Sequence, residues 1–183
     1  MRRPYCLSAA FLAFLVLGSS ALAASDFNQR IRVTVKELEP FSYCCISHKG
    51  AFGDMGSVLN DLIAIMQSQR LSPSGDLIAV YNINPTQGIP ENVEYEVGFP
   101  ITAQLFPQPP LQKKEWNHLV VAAAEHRGAY DTTDDTIDQI LDWMEANRYV
   151  QDGPILGQFL VIPTQDVSPS SLRTEIWIPI KKQ

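Results

Sequence analysis

Two glutamates occupy matching places in two similar hexapeptides, Glu96-Val97-Gly98-Phe99-Pro100-Ile101 and Glu175-Ile176-Trp177-Ile178-Pro179-Ile180. Carboxylates and aromatic faces both attract cations. A carboxylate in an apolar cleft can also have its pKa raised enough for acid or base work. Tyr81 and Phe159 correspond to each other in the same manner and add two rings. The ligand-binding set expected from the sequence is therefore Tyr81, Glu96, Phe159, Glu175 and Trp177, suited to a flat, apolar molecule, cations included. Each has a plain rival role: the glutamates as solvated residues of edge strands, the rings as fillers of the core. His48 and His126 each stand two residues before a glycine and raise the idea of a paired metal site or a general base. Two histidines without an acidic or thiol cluster are a weak metal signal. Stabilising a turn is the simpler role. No metal and no cofactor are expected. Catalytic residues stay unknown, since the chain carries no Gly-x-Ser-x-Gly elbow, phosphate loop or zinc-protease motif.

The elements that would position these residues follow from an internal repeat. His48-Lys49-Gly50-Ala51-Phe52 returns as His126-Arg127-Gly128-Ala129-Tyr130 at an offset of 78 residues. In the same register Leu62 meets Ile140, Met66 meets Met144, Arg70 meets Arg148, Tyr81 meets Phe159 and Pro85 meets Pro163; a one-residue slip then aligns the two hexapeptides. Two copies at one spacing imply two copies of one supersecondary unit. Ile31, Val33 and Val35 alternate with polar residues as in a half-buried strand, and 41–47 continues it after Pro40. Val58, Leu62, Ile65 and Met66 form one stripe of a helix over 57–69, matched by Ile137, Ile140, Leu141 and Met144 in a second. Asp131 and Thr132 are candidate caps of that second helix, with Asp134 and Asp135 in its first turn. Segments 77–83, 93–101, 119–125, 156–162 and 173–180 read as strands. The expected fold is α+β: duplicated strand–helix–strand–strand units forming a curved antiparallel sheet with two helices on one face. The first repeat covers about 30–104 and the second about 116–182, joined by a proline-rich connector over 105–115 that cannot enter a central ladder.

Alternation along the last strand puts Ile176, Ile178 and Ile180 under the helices and turns Glu175 and Trp177 to the open face. Val97, Phe99 and Ile101 likewise go inward, leaving Glu96 and Gly98 outside. On the inner strands Tyr81 and Phe159, with Ala79 and Gly157, are assigned to the open face, and Ile78, Val80, Leu156 and Gln158 to the covered one. The expected site is thus a groove between the repeats on the helix-free side.

Arg2 and Arg3, the apolar run Leu7 to Leu17 and the small residues Ala21-Leu22-Ala23 read as a secretory signal over 1–23, leaving one domain over 25–183. The apolar run is roughly half of the ~20 residues that span a bilayer. Cleavage removes two positive charges and no negative ones, moving the formal net charge from −6 to −8. Such an acidic surface argues against nucleic acid and against anionic lipid. No stable membrane anchor is expected after cleavage, and the location is periplasmic or secreted. Cys44 and Cys45 are neighbours whose side chains point to opposite faces of a strand, and both read as small hydrophobes.

Val120-Val121 leading to His126-Arg127-Gly128-Ala129-Tyr130, then Ile140-Leu141-Asp142-Trp143, Gly153-Pro154 and Thr174-Glu175-Ile176-Trp177-Ile178-Pro179-Ile180, resemble the GyrI-like small-molecule-binding domain, the effector-binding domain of AraC-type and MerR-type regulators. Tyr81-Asn82 through Pro85 and Glu96 to Ile101 resemble its first half, and the similarity covers roughly residues 30 to 182. The resemblance implies the duplicated fold and a groove for amphipathic, often cationic or aromatic compounds. Some regulators of the family place a buried glutamate two residues before an aromatic in the second inner strand; the matching residue here is Gly157, before Phe159. A branch of the family hydrolyses reactive cyclopropane-containing compounds.

Three functions follow as expectations. The first is an exported, stand-alone domain that captures a hydrophobic or amphipathic small molecule. The second is a hydrolase in which Glu96 or Glu175 orients water. The third is an envelope interaction module whose groove holds a partner protein.

Overall fold

The apolar triplets at Val97, Phe99, Ile101 and at Ile176, Ile178, Ile180 set the layer order, because each needs a helix to cover it. The computed structural model describes residues 31–51, 54–81, 93–161 and 167–183. Segment 1–23, expected as a signal, lies outside them, as do Phe52, Pro85, Pro163 and the last residues of the strands expected over 77–83 and 156–162. In chain order the elements are β1 (Thr34–Glu37), β2 (Phe41–Gly50), α1 (Met55–Ser68), β3 (Leu77–Tyr81), β4 (Val93–Ile101), β5 (Gln112–Trp116) and β6 (Val120–Arg127). They continue with α2 (Thr133–Ala146), β7 (Tyr149–Gln151), β8 (Ile155–Phe159) and β9 (Arg173–Lys182). The fold is α+β, a curved, unclosed antiparallel sheet with two helices, as the repeat predicts.

The sheet runs β1-β6-β9-β8-β3-β4-β2-β5, with β7 added against β9. Its centre is the β3–β8 pair, where the two repeats meet in the register Leu77↔Phe159, Ala79↔Gly157 and Tyr81↔Ile155. The first repeat adds β1, within the alternating stretch of Ile31, Val33 and Val35, to the strand–helix–strand–strand unit, and the second adds both β5 and the short β7. The connector expected to reach residue 115 ends at β5, which corresponds to β1 at the repeat offset. These outer strands are exchanged: β1 pairs with β6 of the second repeat, and β5 with β2 of the first. Proline confines Phe106 to Pro110 outside the ladder, and β5 joins at a sheet edge, where one side needs no partner.

The helices bury the expected stripes. Val58, Leu59, Leu62 and Met66 of α1 pack with Val97, Phe99 and Ile101. Ile137, Ile140 and Met144 of α2 pack with Ile176, Ile178 and Ile180. Both helices end the same way, with the second residue past the last turn in the left-handed region: Arg70 at φ 57 and Arg148 at φ 60. After α1, the amide of Arg70 donates to Gln67 O and that of Leu71 to Met66 O, a Schellman ending. Glycine is the usual residue there, and two arginines carry a strained backbone instead.

Candidate ligand site between the repeats

Cross-strand register decides which face each inner residue joins, since directly opposed residues share a face. Val80 lies opposite both Glu96 and Leu156, and Leu156 lies opposite Trp177. Ile78, Val80 and Leu156 therefore stand on the helix-free side with Glu96, Glu175 and Trp177. Tyr81, opposite Tyr95 and Ile155, and Phe159, opposite Thr174, face the helices. The five expected site residues are thus split, three on one face and two on the other. The inner-strand assignment was inverted for a physical reason. Both faces of these strands are buried, so residue polarity carries no signal of side.

The helix-free face is packed. Tyr43, Cys45, Ile78, Val80, Trp116, Val121, Ala123 and Leu156 form a buried cluster there, with Leu38, Phe41 and Trp177 against it. Above it, Glu96 pairs with Lys114 and accepts a hydrogen bond from Tyr43 Oη at 2.8 Å. Glu175 pairs with Lys36 and accepts from Trp177 Nε1 at 2.9 Å. Lys36 and Lys114 correspond at the repeat offset, a signal present in the sequence, but Lys114 falls in the segment expected as connector. Because the outer strands are exchanged, each lysine neutralises the glutamate of the other repeat. Burial pulls Lys114 down, but the hydrogen bond and charge of Glu96 outweigh it and hold the ammonium above its ordinary value. Burial, and then the Glu96 charge, push the Tyr43 phenol far above the usual tyrosine range. Both carboxylates are therefore engaged within the protein. A cation entering here would have to displace a lysine.

The helix-covered face holds a different arrangement. α1 packs mainly on β2 and β4, and α2 on β6 and β7, so the central β3–β8 pair lies between the two helices. At its middle Ala79 faces Gly157, leaving a floor of almost no side chain. Tyr81 and Phe159 stand on either side and cross the repeat boundary. Tyr81 packs into the cores under both helices, while Phe159 of the second repeat joins the core under α1. Tyr130 meets Phe159 edge-on at 4.7 Å, and Tyr95 lies 6.4 Å from Tyr81. Burial pushes the Tyr130 phenol up to about 12, and its Oη donates to Val161 O at 2.6 Å. The arrangement is a row of neutral rings around two small residues at the seam of the repeats, with Ala79, Gly157 and Phe159 buried and the Tyr81 ring lying over Gly157.

The histidines are kept apart by four strands and serve separate turns. His126 is buried, with Nδ1 2.9 Å from Thr136 Oγ1 and Nε2 3.0 Å from Ala129 O, fixing the entry to α2. His48 Nε2 lies 3.2 Å from Asp54 Oδ2 at the entry to α1. Cys44 and Cys45 are buried on opposite faces, Cys44 against Met66 and Cys45 beside Glu96.

The family model for the GyrI-like small molecule binding domain matches residues 32–181, and the chain belongs to that family. The first of the similar solved structures is EcmrR in a DNA complex, with a TM-score of 0.70, 16% identity and 84% of this chain covered; this chain spans only 59% of that one. The isolated EcmrR C-terminal domain matches over 99% of its length, with a TM-score of 0.68 and 16% identity. A hydrolase encoded by lin2189 from Listeria innocua matches with a TM-score of 0.63 at 10% identity, over 85% of this chain and 94% of that one. SAV2435, solved bound to tetraphenylphosphonium, matches with a TM-score of 0.56 at 10% identity, over 82% and 94%. No curated protein sequence matches this one. At these identities the structural likeness is one of fold.

Proposed function

We propose that this chain is an exported binding domain that takes up an uncharged hydrophobic or amphipathic small molecule where its two repeats meet. The observation that carries the reading is the small-residue floor, Ala79 opposite Gly157, walled by Tyr81, Phe159 and Tyr130 between the helices. The pairing of Glu96 and Glu175 with lysines on the far side of the sheet supports an uncharged ligand. Export rests on the basic start, apolar run and small residues of segment 1–23. Protein recovered from the cell envelope should then begin within a few residues of Ala23 by intact mass, and an intact Met1 start would refute export.

Binding is tested by calorimetry with tetraphenylphosphonium and its uncharged relative triphenylphosphine oxide. The neutral compound should bind at least as tightly as the cation. Phe159→Leu should weaken it roughly tenfold, the scale of a lost aromatic contact, and Trp177→Ala should leave it unchanged. Preference for the cation, abolished by Glu175→Gln, would move the site to the helix-free face. Recovery of a chemically altered compound, lost in the same variant, would assign a hydrolase.

A further inference from the structure

The two outermost strands of the sheet are counterparts, yet they present different residues at their open sides. At the repeat offset Val35 corresponds to Lys113, Lys36 to Lys114 and Glu37 to Glu115. β1 and β5 end the strand order, so each has one side without a strand partner among the described residues. An open edge invites pairing with another chain, and charged side chains are the usual defence. On β5 the position beside Lys114 is held by Lys113, whose ammonium lies 4.7 Å from the Phe106 ring. On β1 the same position is held by Val35, which is 44% exposed. Lys36 is drawn to Glu175 on the helix-free face and leaves the covered face of this edge without a charge at its middle. Val120, 39% exposed and opposite Glu37, adds to the apolar surface on that covered face.

Backbone register limits what can add to this edge. The amide of Leu38 donates to Leu119 O, the next step of the ladder after Glu37↔Val120. Inward and outward residues alternate along an antiparallel ladder. Thr34 and Lys36 therefore bond inward to β6, as Leu38 does, while Val33, Val35 and Glu37 turn their amides and carbonyls outward. A second β1 running antiparallel and centred on Val35 sets Val35 against Val35 and Val33 against Glu37, outward groups meeting outward groups. Centring on Lys36 would oppose two lysines, and centring on Thr34 would oppose Lys36 and Arg32, both unfavourable. In the Val35 register Lys36 falls opposite Thr34. The exposed Arg32 of one strand then lies at the end where the other carries the exposed Glu37 and Glu39. We infer that β1 is a self-pairing edge, and that two copies of this chain join there into one antiparallel sheet with the helices of both on one side. A second copy is the occupant that this register and charge pattern match. The surface lies at the end of the sheet, away from the seam between the repeats.

One short strand pair is a small interface, at the weak end of protein association. Sedimentation equilibrium of the full chain should show monomer and dimer in exchange, with a Kd of roughly 10 μM to 1 mM. Val35→Lys, which copies the residue of β5, should weaken the dimer about tenfold or more and keep the wild-type circular dichroism spectrum. A Cys6→Ser background leaves Cys44 and Cys45, both buried, as the only thiols. In that background Val35→Cys should form a disulfide-linked dimer under mild oxidation, because the Cα atoms of a hydrogen-bonded pair lie about 5.5 Å apart. Lys113→Cys, at the matching place on the other edge, should stay unlinked. If Val35→Lys fails to fold, the two cysteine variants decide. A wild type that stays monomeric throughout that range, or a dimer unchanged in Val35→Lys, overturns the inference. So does a dimer that gives no disulfide through Val35→Cys, or equal linking from both edges, which marks random collision.

Discussion

Arg70 and Arg148 show how a single backbone angle records the duplication. Both are exposed, both have positive φ and both close a helix. Glycine tolerates that conformation without a Cβ clash, so Arg148→Gly should stabilise the protein by about 0.5–1 kcal/mol. Urea denaturation measures it, and a loss of stability would show that the arginine side chain contributes more than its backbone strain costs. The thiols give a second prediction. Burial, followed by the charge of Glu96, pushes Cys45 from 9.0 up to about 12. The folded protein therefore keeps a proton that the unfolded chain releases. This contribution is complete below about pH 9 and is lost as the pH rises toward 12, with a limiting slope of about 1.4 kcal/mol per unit. Between pH 9 and 11, Cys45→Ala should lose stability less steeply than wild type in urea unfolding; parallel curves would refute the assignment.

Elements were legible wherever one face alone is apolar. The stripes of α1 and α2 and the isoleucine triplet of β9 have a single partner layer, so periodicity names both the element and its inner side. On β3 and β8 the same logic failed. Ile78, Val80 and Leu156 are as apolar as Ala79, Tyr81 and Phe159, because the sheet is packed on both faces. Only the register, set by neighbouring strands, separates the two sets. The short strand β5 was the other gap: Lys113 and Lys114 and the prolines before them read as connector, whereas the alternation of Ile31, Val33 and Val35 marked β1. Lys114 is 36% exposed and Glu96 is 13% exposed, so their pair falls between a surface bridge and a buried one. Lys114→Ala should cost about 1–2 kcal/mol, less than a fully buried pair because solvent screens the lysine. A change below a few tenths in chemical denaturation would mean that Tyr43 alone satisfies the carboxylate.

At the scale of the whole molecule, strand exchange makes the repeats interdependent. β1 completes the second half and β5 the first, and the ion pairs Lys36–Glu175 and Lys114–Glu96 both cross between repeats. Tyr81 and Phe159 do the same on the covered face. A fragment over 31–104 would leave β1 without β6 and β2 without β5. It should lack stable structure by far-ultraviolet circular dichroism. The full chain should unfold in one transition, with tryptophan fluorescence and circular dichroism coinciding. Two separated transitions, or a folded fragment, would show the repeats to be independent. The sequence by itself determined the duplication, both helices, the long strands and the family, because local periodicity and a fixed offset are written in residue order. Tertiary structure alone decided the exchange of the outer strands, the side on which Tyr81 and Phe159 stand, and the neutralisation of Glu96 and Glu175, because each depends on which distant strand lies alongside, and hydrogen-bond register between strands leaves no mark on either one alone.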